Sequence, residues 1–395
     1  MATDWLSLAQ SMRAELVARR RDLHQHPELA FEEVRTAGIV AKELGALGLE
    51  VTTGIGKTGV VAVLDGQRDG PTVLVRADMD ALPVAEANTT DYVSQTPGKM
   101  HACGHDGHTA IALGVAKMLA GQRDRIAGRI KFVFQPAEER GEGAYAMVAD
   151  GVLENPTPQV SFGLHLLNNI PLGQVGLTAG PIMSSCDNWA VTLHGTGGHA
   201  ALPEQTHDPI IAGVQIINTL QTIVSRNVSA LDAGVVSATR FHGGDAINVI
   251  PSEARIGGTF RAFKPEIRDL IERRLREIVT GVAAVMQCEA DIDFSAKTPP
   301  VVNDPAITAH LRDLFGQIAP AHSLRLLDDV RWMAAEDMSV FLDAAPGTFL
   351  FVGSANAARH LDYPHHHPRF DFDEDALPIA AGLLATAVAD YVIDK

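Results

Sequence analysis

The chain has 395 residues, 46% of them hydrophobic and 20% charged, and a formal net charge of −16. That length exceeds what one hydrophobic core normally serves, so two domains are expected, and the composition excludes a largely disordered chain. The negative field, with no Lys/Arg run to relieve it, speaks against nucleic-acid and anionic-membrane partners.

The N-terminal stretch places Trp5, Leu8, Ala9, Met12, Leu16 and Leu23 at helical spacing between charges. This predicts one amphipathic helix without the apolar centre of a secretion signal. Pro27 biases His26 out of the α region and ends that helix. No apolar stretch reaches the roughly eighteen residues of a membrane span, and the expectation is a cytoplasmic protein. Cys103, Cys186 and Cys288 are too few and too scattered for a disulfide framework.

A second helix is predicted from about Thr36 to Leu47. Two short apolar strands follow, "GVVAVLDG" and "TVLVRADMDALP", then a helix in "DGHTAIALGVAKMLAG". "GRIKFVFQPAEE" reads as a strand running into Glu138 and Glu139, and "VSFGLHL" as a strand ending near His165. Strands alternating with helices predict an α/β sheet, in which ligands bind beyond the carboxyl ends of the strands. Asp78, Asp80, Glu138, Glu139 and His165 all fall at such ends and so are expected to share one site.

Around Pro181 the texture changes. A strand and Gly-rich turn, "DNWAVTLHGTGGHAALP", precede an apolar helix from about Pro209 to Val224, two or three strands, and a long helix from Pro265 to about Met286. The α/β texture returns after "KTPPVV", with "GTFLFVGS" as a strand and a terminal helix. The expected organisation is an α/β domain of residues 1–181 and 299–395, interrupted by a smaller α+β domain at 182–298.

The eight residues "HACGHDGH" concentrate His101, Cys103, His105 and His108. Imidazole and thiolate suit zinc, and imidazole with carboxylate suits manganese or cobalt as well. The plain alternative is a polar loop opening a helix, with Asp106 as its cap. In "QPAEE" the adjacent carboxylates would on their own be an ordinary solvated pair; beside a metal, one could bind the ion while the other takes a proton from water. A further run, His365, His366 and His367, lies between the last strand and the last helix.

"HQHPELAFEE", "RADMDALP", "MHACGHDGHTA", "FQPAEE", "GLHL", "GTGGHAALP", "AINVIP", "GTFRAF", "AEDMS" and "HHHPRFDFDE" occur in order between about His24 and Glu374. Together they resemble the dimetal amidohydrolase and exopeptidase family, peptidase M20. Within it the resemblance is to the branch of hippurate hydrolases, aminoacylases and auxin-conjugate hydrolases. It implies a three-layer α/β/α catalytic domain with an inserted ferredoxin-like lid, and a homodimer formed through that lid, with a tetramer also open.

The resemblance implies two divalent ions per subunit, manganese, zinc or cobalt, held by Cys103, His105, Glu139, His165 and His366, with Glu138 as general base. His366 is chosen because the branch places its ligand two residues before the proline. Asp78-Met79-Asp80 stands where the wider family has His-x-Asp, so the bridging ligand is left open. Asp80 is read as orienting a ligand and Asp78 as structural. His24, His26, His101 and His108 are expected to be hydrogen-bonded structural residues. From the lid, the resemblance nominates His199, Asn248 and Arg261 to polarise the scissile carbonyl and hold the substrate carboxylate.

The implied reaction is hydrolysis of the amide bond of an N-acyl amino acid, a small-molecule substrate. One rival is a metallo-dipeptidase or carboxypeptidase of the same family. Others are a cysteine hydrolase with Cys103 as nucleophile and a non-catalytic binding protein.

Overall fold

In the computed structural model, which describes residues 3–393, the apolar runs outside the inserted region pair into one eight-stranded mixed sheet. Its strands are β1 (Glu50–Ile55), β2 (Gly59–Asp65), β3 (Arg68–Asp78), β4 (Ala127–Gln135), β5 (Val160–Pro171), β6 (Gln174–Gly176), β15 (Arg325–Leu327) and β16 (Gly347–Ala355). The order is β1-β2-β4-β3-β5-β16-β6-β15. At its centre β4, β3, β5 and β16 run parallel, so their carboxyl ends point the same way.

One face of the sheet shares a core with α1 (Trp5–Ser11), α2 (Arg13–Gln25), α3 (Val34–Ala46), α4 (His105–Ala120), α8 (Pro305–Ile318) and α10 (Ala376–Val392). The short α5 (Gly143–Ala149) and α9 (Met338–Ala344) pack against β4 and β5 from the other face. Helices α4 and α10 are buried on nearly every side, as expected of helices apolar all round. This unit comprises the chain up to Gly180, Val302–Arg331 and the chain from Asp337 onward.

The second unit comprises Pro181–Val301 and Trp332–Glu336. Two short strands, β7 (Gly180–Met183) and β14 (Val301–Asn303), mark where the chain passes between units. Between them lie β8 (Cys186–His194), β9 (Gly198–His199), α6 (Pro209–Thr222), β10 (Gly234–Gly243), β11 (Val249–Ile250), β12 (Glu253–Ala262), α7 (Pro265–Val285) and β13 (Glu289–Thr298). The four long strands form an antiparallel sheet in the order β10-β12-β8-β13. This is the β-α-β-β-α-β, ferredoxin-like arrangement. Strict alternation along β8 buries Trp189, Val191 and Leu193 in a core with Ile216, Phe260, Ile271 and Leu275.

Several local expectations are corrected. The N-terminal helix is two helices, because Met12 leaves helical geometry at ψ 3°. The strand expected to end near His165 continues to Pro171, so His165 sits mid-strand. Asp106 is not the cap of α4: that position is Gly104, at φ 91°, a left-handed turn that glycine adopts without strain. Strand β1 went unpredicted because Thr52, Thr53 and Gly54 on its exposed edge break the apolar run. Among the described residues no helix is long and apolar enough to cross a membrane.

Candidate metal centre

The parallel core strands deliver chemistry where the pattern of strand ends predicts. Strand β3 ends on Asp78, and Asp80 follows two residues later. After β4 the chain turns through Ala137 into the short turn Glu138–Arg140. Gly104 starts α4 directly after Cys103, and His105 is its first residue. The loop after β16 brings back His365 and His366.

Cys103 joins two groups of donors. Cys103, His105 and Glu139 form one, Cys103, His165 and His365 the other, and within each the ligand atoms lie within 4.8 Å of one another. His366 Nε2 stands 3.4 Å from Glu139 Oε2, and His105 Nε2 stands 3.9 Å from Glu138 Oε2. The five residues proposed from sequence as ligands are thus gathered with Glu138 at one place, while His366 itself is half exposed, at 54%.

Four imidazoles have readable tautomers. His105 Nδ1 donates to the backbone carbonyl of Asp80 at 2.9 Å and faces its carboxylate at 3.2 Å. This turns Nε2 toward the centre. His165 Nδ1 donates to the Leu166 carbonyl at 2.6 Å, leaving Nε2 facing Cys103 Sγ at 3.5 Å. His365 is reversed: its Nε2 accepts from the Asn168 N–H at 3.2 Å, so Nδ1 carries the proton and faces Cys103 Sγ at 3.8 Å. His108 uses both nitrogens, Nδ1 donating to Asp78 at 2.7 Å and Nε2 accepting from the Leu166 N–H at 2.9 Å.

Two buried atoms face each other unsatisfied. His105 Nε2 and Glu139 Oε1 have no hydrogen-bond partner and lie 3.9 Å apart. That is too far for a hydrogen bond, yet two donors each about 2.1 Å from one ion stand at most about 4.2 Å apart. Buried polar atoms left unpaired are costly, so the donor set fits a bound divalent cation.

The field points the same way. Burial disfavours a charged His105, but Asp78, Asp80 and Glu139 outweigh it and hold its pKa up at about 10. Positive charge is therefore favoured at this spot, whether a proton or an ion carries it. On the other side, burial and neighbouring imidazoles push His165 well down, and burial with His108 and His366 pushes His365 down to about 3. These rings are neutral, the state in which imidazole ligates metal.

Asp80 does more than orient His105: its other oxygen accepts from the Glu139 N–H at 3.0 Å. Asp78 is held by His108 and by Arg76 at 2.7 Å. Arg76, fully buried, also donates to Gln135 and Asp337. A second buried guanidinium, Arg20, ties Asp106 at 2.8 Å to Asp371 at 2.8 Å, and so ties the start of α4 to the late histidine loop. Neither arginine is among the sequence-predicted site residues. The signal was present, since Arg20 falls on the apolar stripe with Leu16 and Leu23, and Arg76 interrupts a buried strand.

The expected structural histidines divide. His24 bonds Asp106 and Glu86, and His26 bonds the Asp22 carbonyl. His101 does not fit: both its ring nitrogens are buried without partners, and burial pushes its pKa down to about 4.

His199, Asn248 and Arg261 belong to the second unit. There β9 pairs with β11, setting His199 opposite Val249, and the Ala200 N–H donates to the Asn248 carbonyl at 3.0 Å. His199 is exposed, and its Nδ1 accepts from the Ala201 N–H at 3.0 Å, which puts the proton of the neutral ring on Nε2. Arg261 lies on β12 and interacts with Cys186.

Residues 74–390 match the model of a known family, Peptidase family M20/M25/M40. The chain belongs to the peptidase M20 family. It is a hydrolase of that family, and its M20 relatives include an Arabidopsis thaliana IAA-amino acid hydrolase ILR1-like 4, 40% identical over 96% of this chain and 86% of the relative. N-acetyl-L-cysteine deacetylase of Bacillus subtilis is 39% identical over 93% of this chain and 86% of its own. Among solved M20 structures, the Bacillus subtilis YXEP protein, described as a dinuclear metal binding peptidase, superposes with a TM-score of 0.83. It is 33% identical and covers 97% of this chain and 99% of its own.

Proposed function

We propose that the protein hydrolyses the amide bond of N-acyl amino acids at a dinuclear metal centre. The observation that carries this reading is the pair of Cys103-sharing donor groups, with His105 Nε2 and Glu139 Oε1 buried, unpartnered and facing each other beside Glu138. The relatives named as an IAA-amino acid hydrolase and an N-acetyl-L-cysteine deacetylase support this substrate class.

The proposed ligands are Cys103, His105, Glu139, His165 and His366. Cys103 is the member common to both groups. The tautomer of His365 favours His366 over it as the late ligand, because Nδ1 of His365 carries a proton toward Cys103. Two divalent ions, manganese, zinc or cobalt, would supply Lewis acidity there, acidifying water and polarising the scissile carbonyl.

Glu138 takes the proton of the attacking water and delivers one to the leaving amine. Its neighbour Glu139 is aimed elsewhere, its backbone N–H held by Asp80. Asp80 thus fixes the ring of His105 and the turn that carries both glutamates.

In the second unit, read as a lid, the Nε2 proton of His199 suits donation to a developing oxyanion. Arg261 and Asn248 are proposed to hold the substrate carboxylate, a guanidinium matching it in bidentate fashion. A homodimer through this unit is supported by exposed apolar side chains, Ile211, Val214, Phe241, Ile247 and Val249, near the edge strand β10. His199 would then act on the partner's substrate.

The description of the YXEP protein as a peptidase favours one second reading, a metallo-dipeptidase or carboxypeptidase. A panel of hippurate, N-acetyl-methionine, dipeptides and carboxypeptidase substrates, read by amino-acid release, separates the two. Preference for the N-acyl amino acids supports the proposal; cleavage of the peptides alone overturns it.

A further inference from the structure

Glu33 is fully buried, yet the chemistry above gives it no task. One of its oxygens, Oε1, accepts from the backbone N–H of Ala137 at 2.9 Å, and Oε2 accepts from the hydroxyl of Thr58. Ala137 is the residue directly before Glu138. It is held in left-handed geometry, φ 53° and ψ 38°, which a residue with a side chain rarely adopts.

The rest of the turn is pinned as well. The Ala137 carbonyl accepts from the Gly143 N–H at 3.2 Å, and the Glu138 carbonyl from the Gly141 N–H at 2.7 Å. Gly143 is required there: a Cβ would meet the Pro136 carbonyl oxygen at 1.6 Å. Asp80 holds the Glu139 N–H. On the amino side of the turn, the Ala137 N–H rests on the carboxylate of Glu33.

The segments that bring Glu33 and Thr58 together are themselves in unfavourable geometry. Phe31, at φ 66°, lies two residues before Glu33, and Lys57, at φ 78°, directly precedes Thr58. The Lys57 ammonium sits 3.8 Å above the Phe31 ring. Non-glycine residues in the left-handed region persist only where their surroundings over-determine them, and they cluster at functional sites. Here Phe31, Lys57 and Ala137 converge on one buried carboxylate.

We infer that Glu33 is a positioning residue: through the Ala137 N–H it fixes the left-handed peptide that aims Glu138, while Asp80 separately holds the Glu139 N–H. This inference rests on the reading of Glu138 as general base. A loosened turn would leave substrate and ions bound but misdirect the base, and small misplacements of a catalytic group are expensive.

The experiment compares Glu33→Ala, Glu33→Asp and Glu33→Gln with wild type and Glu138→Gln. The readouts are kcat and KM for N-acetyl-methionine, bound metal by elemental analysis, and melting temperature. Glu33→Ala, which removes the acceptor, and Glu33→Asp, which is one methylene too short to reach Ala137, lower kcat by about 10- to 100-fold, with KM and metal content near wild type. Glu33→Gln keeps an oxygen for the Ala137 N–H, and Thr58 can turn to accept from its amide, so kcat recovers to within about fivefold.

A folded Glu33→Ala or Glu33→Asp with wild-type kcat overturns the inference. So does a Glu33→Gln as impaired as Glu33→Asp, since restoring the acceptor for the Ala137 N–H would then not restore the turn. Should Glu33→Ala fail to fold, the Asp and Gln pair decides alone. An active Glu138→Gln, or a wild type that cleaves no N-acyl amino acid, faults the reading beneath and leaves a different signature.

Discussion

The two sides of the centre that meet at Cys103 are built on opposite principles. Around His105 stand Asp78, Asp80, Glu138 and Glu139, and the ring sits in a field that favours positive charge. Around His165 the neighbours are His108 and His365, and burial keeps the rings neutral. One side would attract a cation by charge, the other by neutral imidazole nitrogen beside the Cys103 sulfur. The proposed base, Glu138, lies on the acidic side, where a bound cation would offset the cost of gathering so many carboxylates.

The largest effect is expected at the shared residue. Cys103→Ala removes a donor from both groups, so elemental analysis of the purified variant should find neither ion retained and no turnover. Retention of both ions would dissolve the link between the two sides.

Next comes Glu138→Gln. It should keep both ions while kcat falls by about 10²- to 10⁴-fold, the usual range for a lost general base. A drop in metal content equal to the drop in activity would make Glu138 a ligand instead.

The late histidines sharpen the contrast further. His366→Ala should lose metal from the acidic side, where the ring faces Glu139. His365→Ala should keep both ions, because its Nε2 already accepts from Asn168. The opposite pattern of metal content would exchange their roles. Asp80→Asn weakens the orientation of both His105 and Glu139, and metal affinity is expected to fall by about 10- to 100-fold in competition with a chelator.

The smallest functional effect, though not the smallest in stability, lies behind the site. Burial alone would raise the Asp106 carboxyl, but Arg20 and His24 outweigh it and hold it well below the usual range. A depressed carboxylate contributes stability above its unfolded pKa that is lost as pH falls through the folded value. Asp106→Asn should therefore cost about 3 to 5 kcal/mol at neutral pH, leaving Arg20 short of one partner. In denaturant titrations the gap from wild type should narrow as pH drops below about 4.

What could be read in the sequence followed physical periodicity. Strand ends carrying Asp78, Asp80 and Glu138 were legible because buried strands are short apolar runs. Helix α6 was legible from Asp208-Pro209, the side chain of Asp208 accepting from the Ile210 and Ile211 N–H groups. Helix α8 begins with the same device at Asp304-Pro305 but was not predicted. The family resemblance nominated the proposed ligands, where spacing alone left the choice open between a metal site and a polar loop. The supports of the site were not legible. Glu33, Arg20 and Arg76 act across long separations in sequence, and a charged residue on an apolar stripe shows its purpose only when its partners arrive from elsewhere.

The most direct test of the central claim is stoichiometric metal titration of the chelated protein with manganese, zinc or cobalt, following hydrolysis of N-acetyl-methionine alongside bound metal. The account predicts an inactive apoprotein, two ions bound per chain, and activity that returns with them. Activity that survives complete chelation would contradict it and turn attention to Cys103 as a nucleophile.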